Sequence, residues 1–258
     1  MGADMGGIAA LLYGTISYAI FLATFLYAIC FVGNILQVPG ISGFLIPKTI
    51  DSGTPGPLLV SAIVDAILLS VFALQHSVMA RPAFKRIWTR MVPASVERST
   101  YVLFASLALA LMFWQWCPLP TAIWTVTNPL GALVLTLLFW AGWGVVLAST
   151  FMVNHFELFG LRQVWARFRG DGVPASTFRT PFLYKLVRHP IYLGFIIAFW
   201  STPIMSLGHL LFAVTTTGYI FVGIFLEERD LVAHFGQTYV RYRENVWMIL
   251  PLPKRRGK

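Results

Sequence analysis

The sequence predicts an all-α, polytopic integral membrane protein, and three observations carry that class. Only 11% of the residues are charged and 57% are hydrophobic, against about 25% charged in a soluble domain. Mean hydropathy is +0.73. It is concentrated in uncharged runs long enough to cross a bilayer as helices, which satisfy their own backbone groups in lipid. The cations fall between those runs: of 19 Lys and Arg, all but Lys48 lie in 81–98, 162–188 or 229–258. The formal net charge of +9 therefore follows the positive-inside rule and does not indicate a nucleic-acid surface. The expected partner is the lipid bilayer, and nothing in the sequence sets an oligomeric state.

The elements follow in order. A first membrane helix is expected over about 8–33. No Lys or Arg precedes it, and it is too long for a signal-peptide core, so it is expected to stay as a membrane helix. A loop with Pro39, Gly40, Pro47, Pro55, Gly56 and Pro57 leads to helix two, about 57–80, which ends at Arg81-Pro82. Helix three is expected over about 99–117 and stops at Cys117-Pro118-Leu119-Pro120; helix four covers about 130–153. The longest polar segment, 154–189, precedes a short apolar arm, 190–205. A last apolar helix, 208–226, runs into Glu227-Glu228-Arg229-Asp230 and a polar tail ending Lys254-Arg255-Arg256-Gly257-Lys258. This makes one domain, 1–258, with a four-helix membrane part (1–153) and a hairpin with a cytoplasmic tail (154–258). Placing 81–98, 154–189 and the tail in the cytoplasm puts 18 of 19 basic residues on one side of an inner membrane. The N-terminus is then cytoplasmic as well.

The hairpin concentrates chemistry. Pro190 suits the first turn of a helix, which places His189 at its N-cap beside free backbone donors. Glu227 and Glu228 end the last membrane helix, so an antiparallel hairpin brings them level with Arg188, His189 and Tyr192. Such a cluster is either an interfacial salt-bridge network or a pocket whose carboxylates accept from hydroxyls or an ammonium. Cys30 and Cys117 have neither metal nor redox spacing and read as small core residues; no metal site is expected.

These residues carry a resemblance. Arg188-His189-Pro190-x-Tyr192-x-Gly194, a hairpin, Glu227-Glu228-x-x-Leu231 and Phe235-Gly236-x-x-Tyr239-x-x-Tyr242 are similar to the membrane methyltransferases. That superfamily includes isoprenylcysteine carboxyl methyltransferases and phospholipid methyltransferases. The resemblance implies an S-adenosylmethionine site in which Arg188, His189, Pro190, Tyr192, Leu193, Gly194, Glu227 and Glu228 hold the cofactor. Leu74-Gln75-His76-Ser77, Glu97-Arg98-Ser99-Thr100-Tyr101, Ser149-Thr150-Phe151 and Asn154-His155-Phe156-Glu157-Leu158-Phe159-Gly160-Leu161 resemble one branch, the bacterial methanethiol S-methyltransferases. That branch implies methyl transfer to a small thiol, giving dimethyl sulfide, at a site facing the cytoplasm.

Transfer from a sulfonium to a thiolate removes charge, so a dry site assists it, but the thiol must first lose a proton. His76 at the end of helix two, and His155 with Glu157 after helix four, lie at the cytoplasmic level and are the candidate catalytic residues. Each histidine also fits an interfacial residue bonded to a backbone carbonyl. Asp65 lies deep in helix two, three turns from His76; it fits a hydrogen bond to a neighbouring Ser or Thr, or a polar path for the thiol. His209 is expected on the far side and His234 in the tail, neither with a role. Three other readings stay open: a methyltransferase for a prenylcysteine or phospholipid, a haem or quinone protein using His76, His155 and His209, and a sterol-type reductase with a nicotinamide cofactor.

Overall fold

The computed structural model describes residues 5–37, 46–172 and 178–251. Pro39, Gly40 and the basic run Lys254–Lys258 lie outside the described residues, as does part of the polar segment, 173–177. Helix α1 spans Met5–Val32, α2 Leu58–Ala80, α3 Pro82–Trp88 and α4 Ala94–Gln115. Strand β1 (Ala122–Thr125) precedes α5 (Pro129–Val153), α6 (His155–Leu158) and α7 (Leu161–Arg169). A 3₁₀ turn, Phe182–Lys185, leads to α8 (Pro190–Trp200), β2 (Ile204–Ser206), α9 (Leu207–Phe235) and α10 (Gln237–Asn245). Five helices, α1, α2, α4, α5 and α9, are long and apolar enough to span a membrane, and α8 is a shorter apolar helix. The protein is an all-α integral membrane protein.

Several boundaries differ from the expected ones for one physical reason: hydropathy marks where a helix meets lipid, and hydrogen bonding carries it further into water. Thus α4 begins at Ala94, not 99, and α9 continues through Glu227 and Glu228 to Phe235. The two glutamates therefore sit inside a helix, and His234 lies on its last turn. Pro82 ends α2 and, at the first helical position, starts α3. The polar segment is also structured: α7 packs against α1 and α4, with Val164 fully buried.

The short arm is helical for 11 residues only, about 16 Å of rise and too little to cross a bilayer alone. Beyond Trp200 the chain completes the hairpin by pairing β2 antiparallel with β1, in register Ala122↔Ser206 and Thr125↔Ile204. Trp200 Nε1 donates to Thr217 Oγ1 at 3.0 Å, tying α8 to α9.

The core lies between α1, α2, α4, α5, α8 and α9, around Phe31, Met112, Trp116, Phe139, Trp143 and Phe212. At the α5–α8 crossing, Gly142 and Gly194 bring the backbones together. A Cβ on Gly194 would stand 2.7 Å from the Gly142 carbonyl oxygen, and one on Gly142 would stand 2.6 Å from the Ala198 nitrogen. This contact fixes α8 on the four-helix part, and with it the residues at its N-terminal end.

Candidate active site

The site is assembled where α8 begins. His189 caps α8 with φ −126° and ψ 62°, and Pro190 occupies the first helical position. The tail holds this entry from outside: the Arg188 and His189 amides donate to the carbonyls of Trp247 (2.7 Å) and Met248 (3.1 Å). Val187 pairs with Trp247 as a parallel bridge.

The side chains then sort into two groups. Buried Glu228 accepts from Arg188 Nε at 2.7 Å and bonds His189 Nε2 at 3.0 Å through the same Oε1. Arg188 also donates to the carbonyls of Arg243 (2.9 Å) and Val246. Its donors are directed at protein acceptors, so Arg188 and Glu228 fasten α8, α9 and the tail together. Glu227 is placed differently. It accepts from the Tyr192 hydroxyl at 2.9 Å, His189 Nδ1 stands 3.8 Å away, and its side chain is 43% exposed. Gly223, one turn earlier on α9, lies beside that phenol: a Cβ there would be in ordinary contact with the Tyr192 oxygen, at 3.9 Å.

Leu193, like Tyr192, packs against the cluster of Ile220, Ile224 and Ile249, while the Cα of Gly194 faces α5. In this arrangement Pro190, Leu193 and Gly194 set the position of α8, and His189, Tyr192 and Glu227 line its polar end.

His76 joins this end from α2. The Tyr101 hydroxyl on α4 lies 2.8 Å from His76 Nε2 and 3.1 Å from Nδ1. One O–H serves one nitrogen at a time, and the shorter contact is the better hydrogen bond. Tyr101 is buried and lies under the Arg98 guanidinium, 5.0 Å from its ring centre. Ser77 donates to the Tyr219 hydroxyl on α9 at 3.2 Å, and Arg81 pairs with Asp230 at 2.8 Å. Tyr101 lies within electrostatic range of both Glu227 and Tyr219, and Tyr192 within range of Tyr219 and Tyr101. The α2–α4 pair and the hairpin thus meet around three phenols, one imidazole and one half-exposed carboxylate. Tyr101 and Tyr219 do not stand out in the sequence as site residues. Tyr101 ends the Glu97-Arg98-Ser99-Thr100-Tyr101 motif, but only tertiary packing sets it against His76.

His155 and Glu157 make a different set of contacts, next to the Leu158 carbonyl that accepts from Arg98 Nε at 2.6 Å. His155 Nδ1 contacts Thr150 Oγ1 at 2.9 Å, and Nε2 contacts the Tyr18 hydroxyl at 2.8 Å. The ring stacks on Phe151 at 4.3 Å. Burial lowers its pKa below the ordinary imidazole value, so it stays neutral near pH 7. Glu157 binds Arg162 and the Asn154 side chain. These bonds join α1, α5, α6 and α7. Asp65 is fully buried and accepts from the Cys117 amide at 2.8 Å; its partner is a backbone N–H at the end of α4, not a Ser or Thr. His209 lies at the other end of the hairpin, bonded to the Phe199 carbonyl at 2.9 Å, and so shares no contact set with His76 or His155. Both cysteines are free thiols.

Comparison with known proteins gives extensive similarity. The chain is 53% identical to methanethiol S-methyltransferase of Mycobacterium tuberculosis, over 95% of this chain and 97% of that protein. It is 54% identical to methanethiol S-methyltransferase 1 of Bradyrhizobium diazoefficiens, over 94% of this chain and 82% of that protein. A more distant relative, Nurim of Xenopus laevis, is 33% identical over 61% of this chain and 58% of its own length. No family model matches the chain, and no solved structure matches it.

Proposed function

This chain belongs to the methanethiol S-methyltransferase family, and from that premise we propose that it methylates methanethiol with S-adenosylmethionine at the cytoplasmic face of an inner membrane. The observation that carries the reading is the meeting of the Tyr192–Glu227 pair with the His76–Tyr101 pair. The residues present fit such a donor. Glu227 keeps exposed carboxylate surface for ribose hydroxyls or an ammonium group, and the phenol faces of Tyr192 and Tyr219 suit a sulfonium cation. His189 and Tyr192 hold Glu227, while Arg188 and Glu228 hold the frame around it. When bound, the donor supplies an electrophilic methyl group.

The protein's own part is to bring a thiolate to that methyl in a dry place. Arg98 and Arg81 act electrostatically on the His76 end, and their positive field favours an anionic acceptor. His76 is the base candidate placed in this group. His155 has both ring nitrogens engaged by Tyr18 and Thr150, and with Glu157 it supports the bundle. The test is calorimetry with S-adenosylhomocysteine and with NADPH, followed by turnover of methanethiol. Binding of the first ligand alone, with dimethyl sulfide formed, supports the reading. Binding of NADPH in its place, or activity only with a prenylcysteine or phospholipid, contradicts it.

A further inference from the structure

The site lies among α2, α4, α8 and α9, and two of these helices border the lipid at its edge. Ile67, Val71, Leu74 and Val78 on α2, and Val214, Phe221, Val222 and Phe225 on α9, present exposed apolar side chains. A long-chain acceptor dissolved in the bilayer could reach Glu227 and His76 by passing between α2 and α9. That edge is bridged at two levels. Nearer the cytoplasm Arg81 pairs with Asp230. Deeper, Ser77 bonds Tyr219 across the gap, and Phe72 meets the Tyr219 ring edge-on at 6.2 Å. Phe72 and His76, one turn apart on α2, also pack ring to ring at 5.3 Å. Tyr219 is therefore held against α2 by Phe72 and Ser77, the residues one turn before His76 and next to it.

We infer that Phe72 and Tyr219 determine acceptor size by closing the α2–α9 edge, which admits a one- or two-carbon thiol and excludes long alkyl chains. The inference rests on the thiol reading given above. Packing sets the effect: a ring pair of this size fills the volume that successive methylenes of a longer chain need, and each methylene misfitted costs about tenfold or more in discrimination.

The experiment uses the full chain in lipid nanodiscs with S-adenosylmethionine and either methanethiol or 1-octanethiol, reading release of S-adenosylhomocysteine. The wild type favours methanethiol. Tyr219→Ala and Phe72→Ala each raise the octanethiol-to-methanethiol ratio of kcat/KM by about tenfold or more. Tyr219→Phe, which keeps the ring and loses only the Ser77 bond, leaves the ratio near that of the wild type. Thermal unfolding identifies the folded variants; should one alanine variant fail to fold, the other decides. A ratio unchanged in a folded alanine variant overturns the inference, as does a wild type that accepts octanethiol as readily as methanethiol. A wild type that binds S-adenosylhomocysteine yet methylates neither thiol overturns the thiol reading and the inference with it.

Discussion

Glu227 and Glu228 are adjacent in sequence but stand in different surroundings, and the difference sets what each can do. Glu228 is buried against Arg188 and His189, so removing its charge leaves a guanidinium without its partner inside the frame. Glu227 keeps exposed surface beside Tyr192. Glu227→Ala is therefore expected to weaken S-adenosylhomocysteine binding about tenfold or more with little change in melting temperature, whereas Glu228→Ala lowers the melting temperature. Calorimetry and thermal unfolding separate the two. His76→Ala is expected to reduce turnover by about a hundredfold at unchanged S-adenosylhomocysteine affinity; an equal loss of affinity makes His76 a cofactor residue. His155 has a pH signature. Burial holds its folded pKa below the unfolded value of about 6.5. The neutral ring therefore contributes stability in full above about pH 6.5, and the contribution declines as pH falls toward the folded value. Melting temperatures of wild type and His155→Gln should accordingly converge between pH 7.5 and 5. For Asp65, an Asp65→Asn variant keeps an acceptor for the Cys117 amide, while Asp65→Ala leaves that amide unpaired and costs about 1–3 kcal/mol.

Among the elements, α8 positions the site, and its glycine contact with α5 is the joint. Gly194→Leu must push α5 and α8 apart, because its Cβ alone would stand 2.7 Å from the Gly142 carbonyl oxygen, and is expected to cost about 1–3 kcal/mol, read as a lower melting temperature with parallel loss of S-adenosylhomocysteine binding. The long apolar runs make the membrane helices legible in the sequence, and the Arg188–Gly194 motif makes the start of α8 legible through Pro190. The rest is not local. The continuation of α9 past Phe225 leaves no hydropathy signal, because its last turns are in water. α7 is nine residues long in a polar segment, and its fold back onto α1 depends on Val164 finding a partner helix. The β1–β2 pairing and the Val187–Trp247 bridge join segments far apart in sequence. The same limit applies to Tyr101 and Tyr219: each reads as one more aromatic residue until α4 and α9 are set beside α2.

For the molecule as a whole, charge asymmetry and the helix order support one topology. The α2–α3–α4 turn, the α6–α7 segment and α10 share one side, proposed above as the cytoplasmic one, and the β1–β2 ribbon lies opposite with Asp51, Ser206 and His209 near it. Alkaline phosphatase fused after Thr127 is expected to be active, and fused after Asp171 inactive; the reverse pattern inverts the orientation and moves the site to the outer face. The family follows from the sequence because its motifs are spread along nearly all of the chain. The proposed division of labour inside the site, with a frame of Arg188 and Glu228 around a working edge of Tyr192, Glu227, Tyr101 and His76, is argued from the packing. The central claim is that this edge brings a methyl donor and a small thiol together. Its most direct test is a single-turnover assay in nanodiscs with methyl-labelled S-adenosylmethionine and methanethiol. Label recovered in dimethyl sulfide by the wild type, with loss of that signal in both Glu227→Ala and His76→Ala, is the predicted result; label transfer that proceeds undiminished in the two variants contradicts it.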